Sequence, residues 1–343
     1  MRIALVLISC SLLAVAAAPS WATFPGRNGE IAYVDGWGSD VELNFDLWGV
    51  CPNGSRQHEL DRLTLEAGSA SFSPSGRWLA ASLDYQYDDF GSSMWLIGGK
   101  GQRRVSRQLR RGSDGSPVWS PKGGEFAFTR TRSDRDDDVR SRAVRIYSRG
   151  HSSFLTRGWG PEWSVRNRIA FHRQDRHGDN ELGSSIYAVS ANGGTVRRLM
   201  TGWAHDWSPN GRRLLVTYRV KGPARRLPAT IAVISANGTG LRGLASGSRP
   251  SWSPDGRWIA FVTPEGYAAV IPPHGGEPKL LGRTTDNASF SPDSKWLAIT
   301  RGNNLHALPL KGGRRHFVTE PESGEDLTFL DWGPAPASAS RCG

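Results

Sequence analysis

One ten-residue phrase constrains this chain more than any other feature. "WSPDGRWIAF" occupies residues 252–261, and a near copy, "FSPSGRWLAA", occupies residues 72–81. The phrase or a worn form of it begins at Phe72, Trp119, Trp163, Trp207, Trp252 and Phe290, and a truncated "WGP" begins at Trp332. Successive anchors lie 47, 44, 44, 45, 38 and 42 residues apart. A sustained period means that each unit is one supersecondary element that cannot bury its apolar face alone, so neighbours must stack. Four short strands per unit at this spacing define the blade of a β-propeller.

Each unit follows one plan. The aromatic anchor ends a first strand, and a Ser-Pro-Asp-Gly-like turn leads into an "IAF"-type second strand. After a variable connection comes a third strand closed by an Asn-Gly or Gly-Gly hairpin, as in "SIYAVSANGG" at residues 185–194. A fourth short strand such as "VRRLMT" at residues 196–201 then leads to the next anchor. The anchor aromatics are expected to pack between neighbouring blades. Gly 41 and Pro 21 suit many short strands and turns, and no run of helical periodicity long enough for a bundle stands out.

The two ends decide the blade count. Second strands begin near Ile31, Leu79, Phe126, Ile169, Leu214, Ile259 and Leu297, which makes seven. The first has only a worn anchor before it, and "LDWGP" at residues 330–334 is an anchor strand with no second strand after it. Pairing the two would close a seven-bladed all-β ring of four-stranded antiparallel blades and remove an exposed sheet edge. Six blades are the alternative.

These repeats resemble the TolB-type, WD-repeat-like propeller family, whose pattern is Trp-Ser-Pro-Asp-Gly, then Ile-Ala-Phe, then Asp-Gly-Asn-Glu-Ile-Tyr. "DRHGDNELGSSIYAVSANGG" at residues 175–194 follows it with an insertion before Ile186 and Tyr187. The resemblance runs through nearly the whole chain beyond residue 22. It departs from TolB itself, whose propeller has six blades and an additional N-terminal domain, so a Pal-binding role does not carry over.

The first 22 residues read as a signal peptide. Arg2 precedes an apolar stretch over residues 3–18, and Ser20 and Ala22 stand at −3 and −1 of a cleavage site. "LISC", ending at Cys10, also has the look of a lipoprotein box, with only a short apolar region before it. The expected organisation is a signal peptide over 1–22, a propeller over 23–335 and a flexible tail over 336–343, in an exported protein that is secreted or held in the periplasm or cell envelope. Cys51 and Cys342 then remain as one candidate disulfide in an oxidising compartment. Cys51 follows the third strand of the first blade, and Cys342 lies ten residues beyond Trp332, near enough to reach back.

Catalytic signatures are sparse. There is no Gly-x-Ser-x-Gly elbow of the hydrolases attached to similar propellers, no Cys-x-x-Cys and no His-Glu-x-x-His. His172 and His205 are expected near one end of the central channel, with Glu162, Asp206 and Asp331 on inner strands. Such a funnel could serve as acid and base on a sugar acid or hold a divalent metal, or could simply line a wet channel. No cofactor is implied. The acidic stretches at residues 84–90 and 134–142 could hold Ca²⁺, but Arg135, Arg140 and Arg142 interleave with the second, which favours mutual neutralisation.

Charge is the remaining signal. The chain carries +11, and residues 72–250 alone hold 30 Lys and Arg against 14 Asp and Glu. The excess includes Arg103, Arg104, Arg110, Arg111, Arg225 and Arg226. A basic sector attracts polyanions. Export and the absence of a nucleic-acid motif point away from nucleic acid, toward a protein partner or an anionic envelope polymer. The expected product is a monomeric binding or scaffolding module, with a propeller enzyme (lyase or hydrolase) acting on an acidic saccharide as the alternative.

Overall fold

The computed structural model describes residues 24–39, 42–60, 65–85, 91–98, 101–134, 138–174, 184–219, 229–284, 288–320, 327–337 and 342. They form seven four-stranded antiparallel sheets. The innermost strands are Leu327–Pro334 in blade one, Leu65–Phe72 in blade two, Asp114–Trp119 in blade three and Trp159–Trp163 in blade four. Trp203–Trp207, Ser248–Trp252 and Ala288–Phe290 complete the series in blades five to seven. The expected ring closure is present. The C-terminal strand pairs with Asn28–Ser39, placing Ile31 opposite Trp332 and Ala32 opposite Asp331.

The repeated phrase is explained by its own hydrogen bonds. In residues 252–258 the Ser253 hydroxyl donates to Asp255 Oδ1 at 2.7 Å and accepts the Trp258 amide at 2.9 Å, while Gly256 turns the chain at φ 72°. Copies without glycine pay for the same left-handed turn with Asn167 and Ser294, at φ 56° and 58°.

Each anchor aromatic inserts into the blade before it. Trp163 packs on Val118, Ala127 and Val144 of blade three, and Trp252 packs on Leu215, Ile231 and Val233 of blade five. Trp332 packs on Ala298, Leu305 and Ala307 of blade seven, so the last anchor seals the ring. Two indoles add a polar link: Trp119 Nε1 donates to Ser71 O at 2.8 Å, and Trp207 Nε1 donates to Glu162 O at 3.0 Å. The core is therefore seven seams between blades. A buried aromatic of this kind is worth about 3–5 kcal/mol against truncation to alanine.

Two features go beyond the four-strand plan of a blade. In blades one and three the long segments between second and third strands are themselves strand: Asn28–Ser39 pairs with Glu42–Val50 out to Ser39 opposite Glu42, and Glu125–Ser133 pairs with Val139–Ser148. Backbone pairing satisfies these polar groups better than an open loop does. The seam of the ring is also covalent, since Cys51 and Cys342 are disulfide-bonded with Cα atoms 5.2 Å apart. Next to it, Thr319 of blade seven donates to Gln57 of blade one at 2.6 Å.

Candidate functional site

Inner strands run from the side where blades are joined to the side where the anchors end them, so the Ser-Pro turns of all blades share one face. At the centre of that face lies a cavity of about 250 Å³. Pro74, Pro121, Pro209 and Pro254, together with Val165 in the blade that lacks the proline, surround it. Trp163, Trp207 and Trp252 line its wall with Asp206, and Phe24 and Pro25 reach across from the N-terminal side. The N-terminal segment is fixed there at both ends: Gly26 N donates to Pro292 O at 3.1 Å, and Phe24 packs on the buried cluster around Trp119 and Phe126.

The anticipated funnel residues separate into three groups. Glu162 and Asp206 come together as the residues preceding the anchors of blades four and five, and both are almost fully buried. Asp206 Oδ2 accepts the backbone amide of Trp252, in the next blade, at 2.8 Å. Burial pushes the Asp206 carboxyl well above its ordinary range, against the lowering effect of the Trp252 and Trp207 amides. Glu162 is also held well above the ordinary carboxyl range, first by burial and then by the neighbouring charge of Asp206. The pair favours carrying at least one proton.

Asp331 stands apart, between blades one and two. Its Oδ2 accepts the Phe72 amide at 2.8 Å, the same inter-blade staple that Asp206 makes, and burial raises its carboxyl to about 7. His172 belongs to a third place. It sits on the second strand of blade four, in register with Trp159 and stacked on that indole at 5.9 Å. Gly160, at φ 59°, leaves it room: a Cβ there would lie 2.9 Å from the imidazole Cδ2. His205 lies at a bulge of the blade-five inner strand between Ala204 and Asp206, and its side chain falls outside the described residues. Among the described residues no group of three or more His, Cys, Asp or Glu could hold a metal ion.

The basic sector is a surface. Arg103, Arg104, Arg110 and Arg111 are all exposed, the first two on the outermost strand of blade two, where Arg104 donates to Gln108. Arg225 and Arg226 lie outside the described residues. Cations recur on other outermost strands, at Arg197 and Arg198, at Arg242 and at Lys279 and Arg283. In the acidic stretch, Asp134 pairs with Arg140 and accepts the Asp138 amide, as mutual neutralisation requires; residues 135–137, like 86–90 of the other stretch, lie outside the described residues.

Sequence reasoning missed the stack of Arg142 on Trp159, at 4.9 Å, and the buried Asp114–Arg130 pair. It also took the anchor tryptophans as packing alone, although three of them wall the cavity.

These features define an all-β, seven-bladed propeller with an apolar channel mouth on one face and a cationic rim. Solved structures give it company. It is similar to TolB from Acinetobacter baumannii at 19% identity over 91% of this chain and 68% of that one, with a TM-score of 0.53. It is similar to an oligogalacturonate lyase in complex with manganese at 14% identity over 90% and 92% of the two chains, with a TM-score of 0.62. The β-propeller domain of the Trilobed protease from Pyrococcus furiosus matches at 13% identity over 90% and 98%, with a TM-score of 0.64. No family model matches the sequence, and no curated protein matches it.

Proposed function

We propose that this is an exported, non-catalytic propeller of the TolB-like kind that binds or scaffolds a protein or an anionic envelope polymer. The observation that carries the reading is the exposed cationic surface on and beside the outermost strands, above all Arg103 and Arg104 on that of blade two and Arg110 and Arg111 just beyond it. What the channel offers catalysis is limited, because Asp206 and Asp331 are engaged as staples between blades. The solved structures of similar fold include both TolB and enzymes, so fold likeness does not choose between the classes.

Reversing those four arginines to Glu tests the reading. The variant loses adsorption to an anionic polymer such as polyglutamate, and the wild-type adsorption falls steeply between low and moderate salt. Its melting temperature stays close to wild type, because exposed charges carry little stability. Unchanged adsorption would mean that these charges only solubilise the rim. Stoichiometric metal in purified protein, together with loss of an acidic oligosaccharide during incubation, would favour the enzyme instead.

A further inference from the structure

We propose that the anchor face is a docking surface for an acidic peptide segment of a partner protein, which seats one aromatic side chain in the central cavity and lays its flanking carboxylates on a ring of cations. This surface is distinct from the cluster of Arg103, Arg104, Arg110 and Arg111, so the two readings stand or fall separately.

Charge is the first support. Antiparallel blades put two kinds of connection on this face: the turns between first and second strands and the hairpins between third and fourth. Among the described residues these connections, together with residues 24–27, hold twelve Lys and Arg, all exposed, against three Asp and Glu. The described connections of the opposite face hold four of each sign. The inner cations form a ring, because each turn of blades two to seven supplies one: Arg77, Lys122, Arg166, Arg212, Arg257 and Lys295. Only the last two meet an acid in their own turns, Asp255 at 3.8 Å and Asp293 at 3.6 Å. Like charges gathered in this way draw in an anionic partner and orient it. The ring is also pre-set by bonds from turn to turn. Arg166 Nε donates to Asn210 O at 2.9 Å, the Asp255 amide to Ser294 Oγ at 3.0 Å and the Asp293 amide to Asn28 Oδ1 at 3.2 Å. A surface already ordered loses less entropy on binding.

The cavity inside the ring says what the partner places there. Pro74, Pro121, Val165, Pro209 and Pro254 wall it, one residue from each of blades two to six. Val165 is 46% exposed, so the bowl is open to a visitor. Over blades seven and one the chain's own N-terminal segment takes the equivalent place. Gly26 N donates to Pro292 O at 3.1 Å, and Phe24 and Pro25 lie at the cavity wall. The bowl thus already accepts one aromatic residue and one proline from an extended segment. The remaining space of about 250 Å³ holds one more large side chain, at roughly 30 Å³ per non-hydrogen atom. An apolar hollow rimmed by charge is the form of a protein docking site, in which a single buried aromatic supplies much of the affinity. A bilayer, by contrast, is met by apolar groups that protrude. Asp206 in the wall does not repel an acidic ligand: it accepts the Trp252 amide, and burial favours its protonated form.

Three capped, fluorescein-labelled octapeptides separate the two elements of the surface. The first is Asp-Asp-Glu-Phe-Pro-Glu-Asp-Asp, the second has Ser in place of Phe, and the third has every acid replaced by its amide. Fluorescence anisotropy with the chain beginning at residue 23 is expected to show saturable binding of the first, with Kd below about 1 mM and at least about tenfold tighter than either control. Moderate salt should weaken it. Arg77→Glu, Lys122→Glu and Arg212→Glu combined should reduce the affinity at least about tenfold at an unchanged melting temperature, because these side chains are exposed. Reversing Arg103, Arg104, Arg110 and Arg111 should leave it within about twofold, since those charges lie elsewhere. Should the triple variant fail to fold, Arg77→Glu and Lys122→Glu singly decide, each expected to weaken the acidic peptide about threefold. Equal binding of the Ser peptide or of the amide peptide overturns the proposal. So does the absence of saturable binding, or indifference to the anchor-face reversals. Phosphatidylglycerol vesicles that bind the chain and displace the peptide would make the face a lipid surface, which is equally fatal.

Discussion

Asp331 shows at the scale of one residue how position turns a surface-type side chain into a blade connector. It sits at the pre-anchor position, where blades four and five also carry acids (Glu162 and Asp206) and the others carry Ser71, Val118, Ser251 and Ser289, and its carboxyl reaches the Phe72 amide at 2.8 Å. Burial outweighs the two amides and lifts its proton affinity to about 7, against roughly 3.9 in an unfolded chain. Between those values the folded state binds the extra proton, so this group's contribution to stability is largest at acid pH and falls as pH rises toward 7. Asp331→Asn keeps an acceptor for Phe72 and removes the titration. Urea unfolding at pH 5 and pH 8 should therefore show the variant gaining on wild type by about 2–4 kcal/mol at the higher pH. A constant difference at both pH values would mean that the carboxyl stays ionised throughout. Asp206 was legible as an inner-strand acid from its place before an anchor; that it staples blade six by a backbone amide was not, because the donor lies 46 residues away.

At the scale of elements, the blades are alike in plan and different in how their upper ends are tied. Blade three opens its inner strand with Asp114, which is fully buried and held by Arg130 through two bonds, Nε to Oδ1 at 2.7 Å and Nη2 to Oδ2 at 2.6 Å. The Asp114 carbonyl accepts the hydroxyl of Ser82 in blade two, so the pair anchors a seam between blades. Arg130→Met would leave a buried carboxylate without its countercharge, and a loss of about 3–5 kcal/mol in chemical denaturation is expected. Changing Asp114 to Asn as well should recover part of that loss, since the stranded charge is then removed. Nothing in the local pattern singled out this pair: Arg130 reads as one more cation in an arginine-rich stretch, and Asp114 as a turn residue. The extended hairpins of blades one and three were hidden for a related reason, because charged and glycine-rich segments read as loop until a partner strand is in register.

For the molecule as a whole, stability depends on the seam where first and last strands meet. Pairing of Leu327–Pro334 with Asn28–Ser39, the Trp332 seal and the Cys51–Cys342 bond all act there. The bond encloses 291 residues of sequence separation, and in the chain-entropy model a loop that long is worth on the order of 5 kcal/mol. Replacing both cysteines with Ser should lower unfolding stability by up to about that amount while the native circular dichroism is retained. A non-reduced, denatured chain beginning at residue 23 should show no reactive thiol; two per chain would leave the seam to strand pairing alone. The blade number, the closure and the two cysteines were all readable in one dimension, because a repeat states its period openly and each blade uses mostly local contacts. The cavity, the meeting of Glu162 with Asp206 and the separation of both from His172 and Asp331 came only with the ring in three dimensions. Those relations join residues of different blades, and the spacing that defines a blade carries no information about which side chains its neighbour turns toward it.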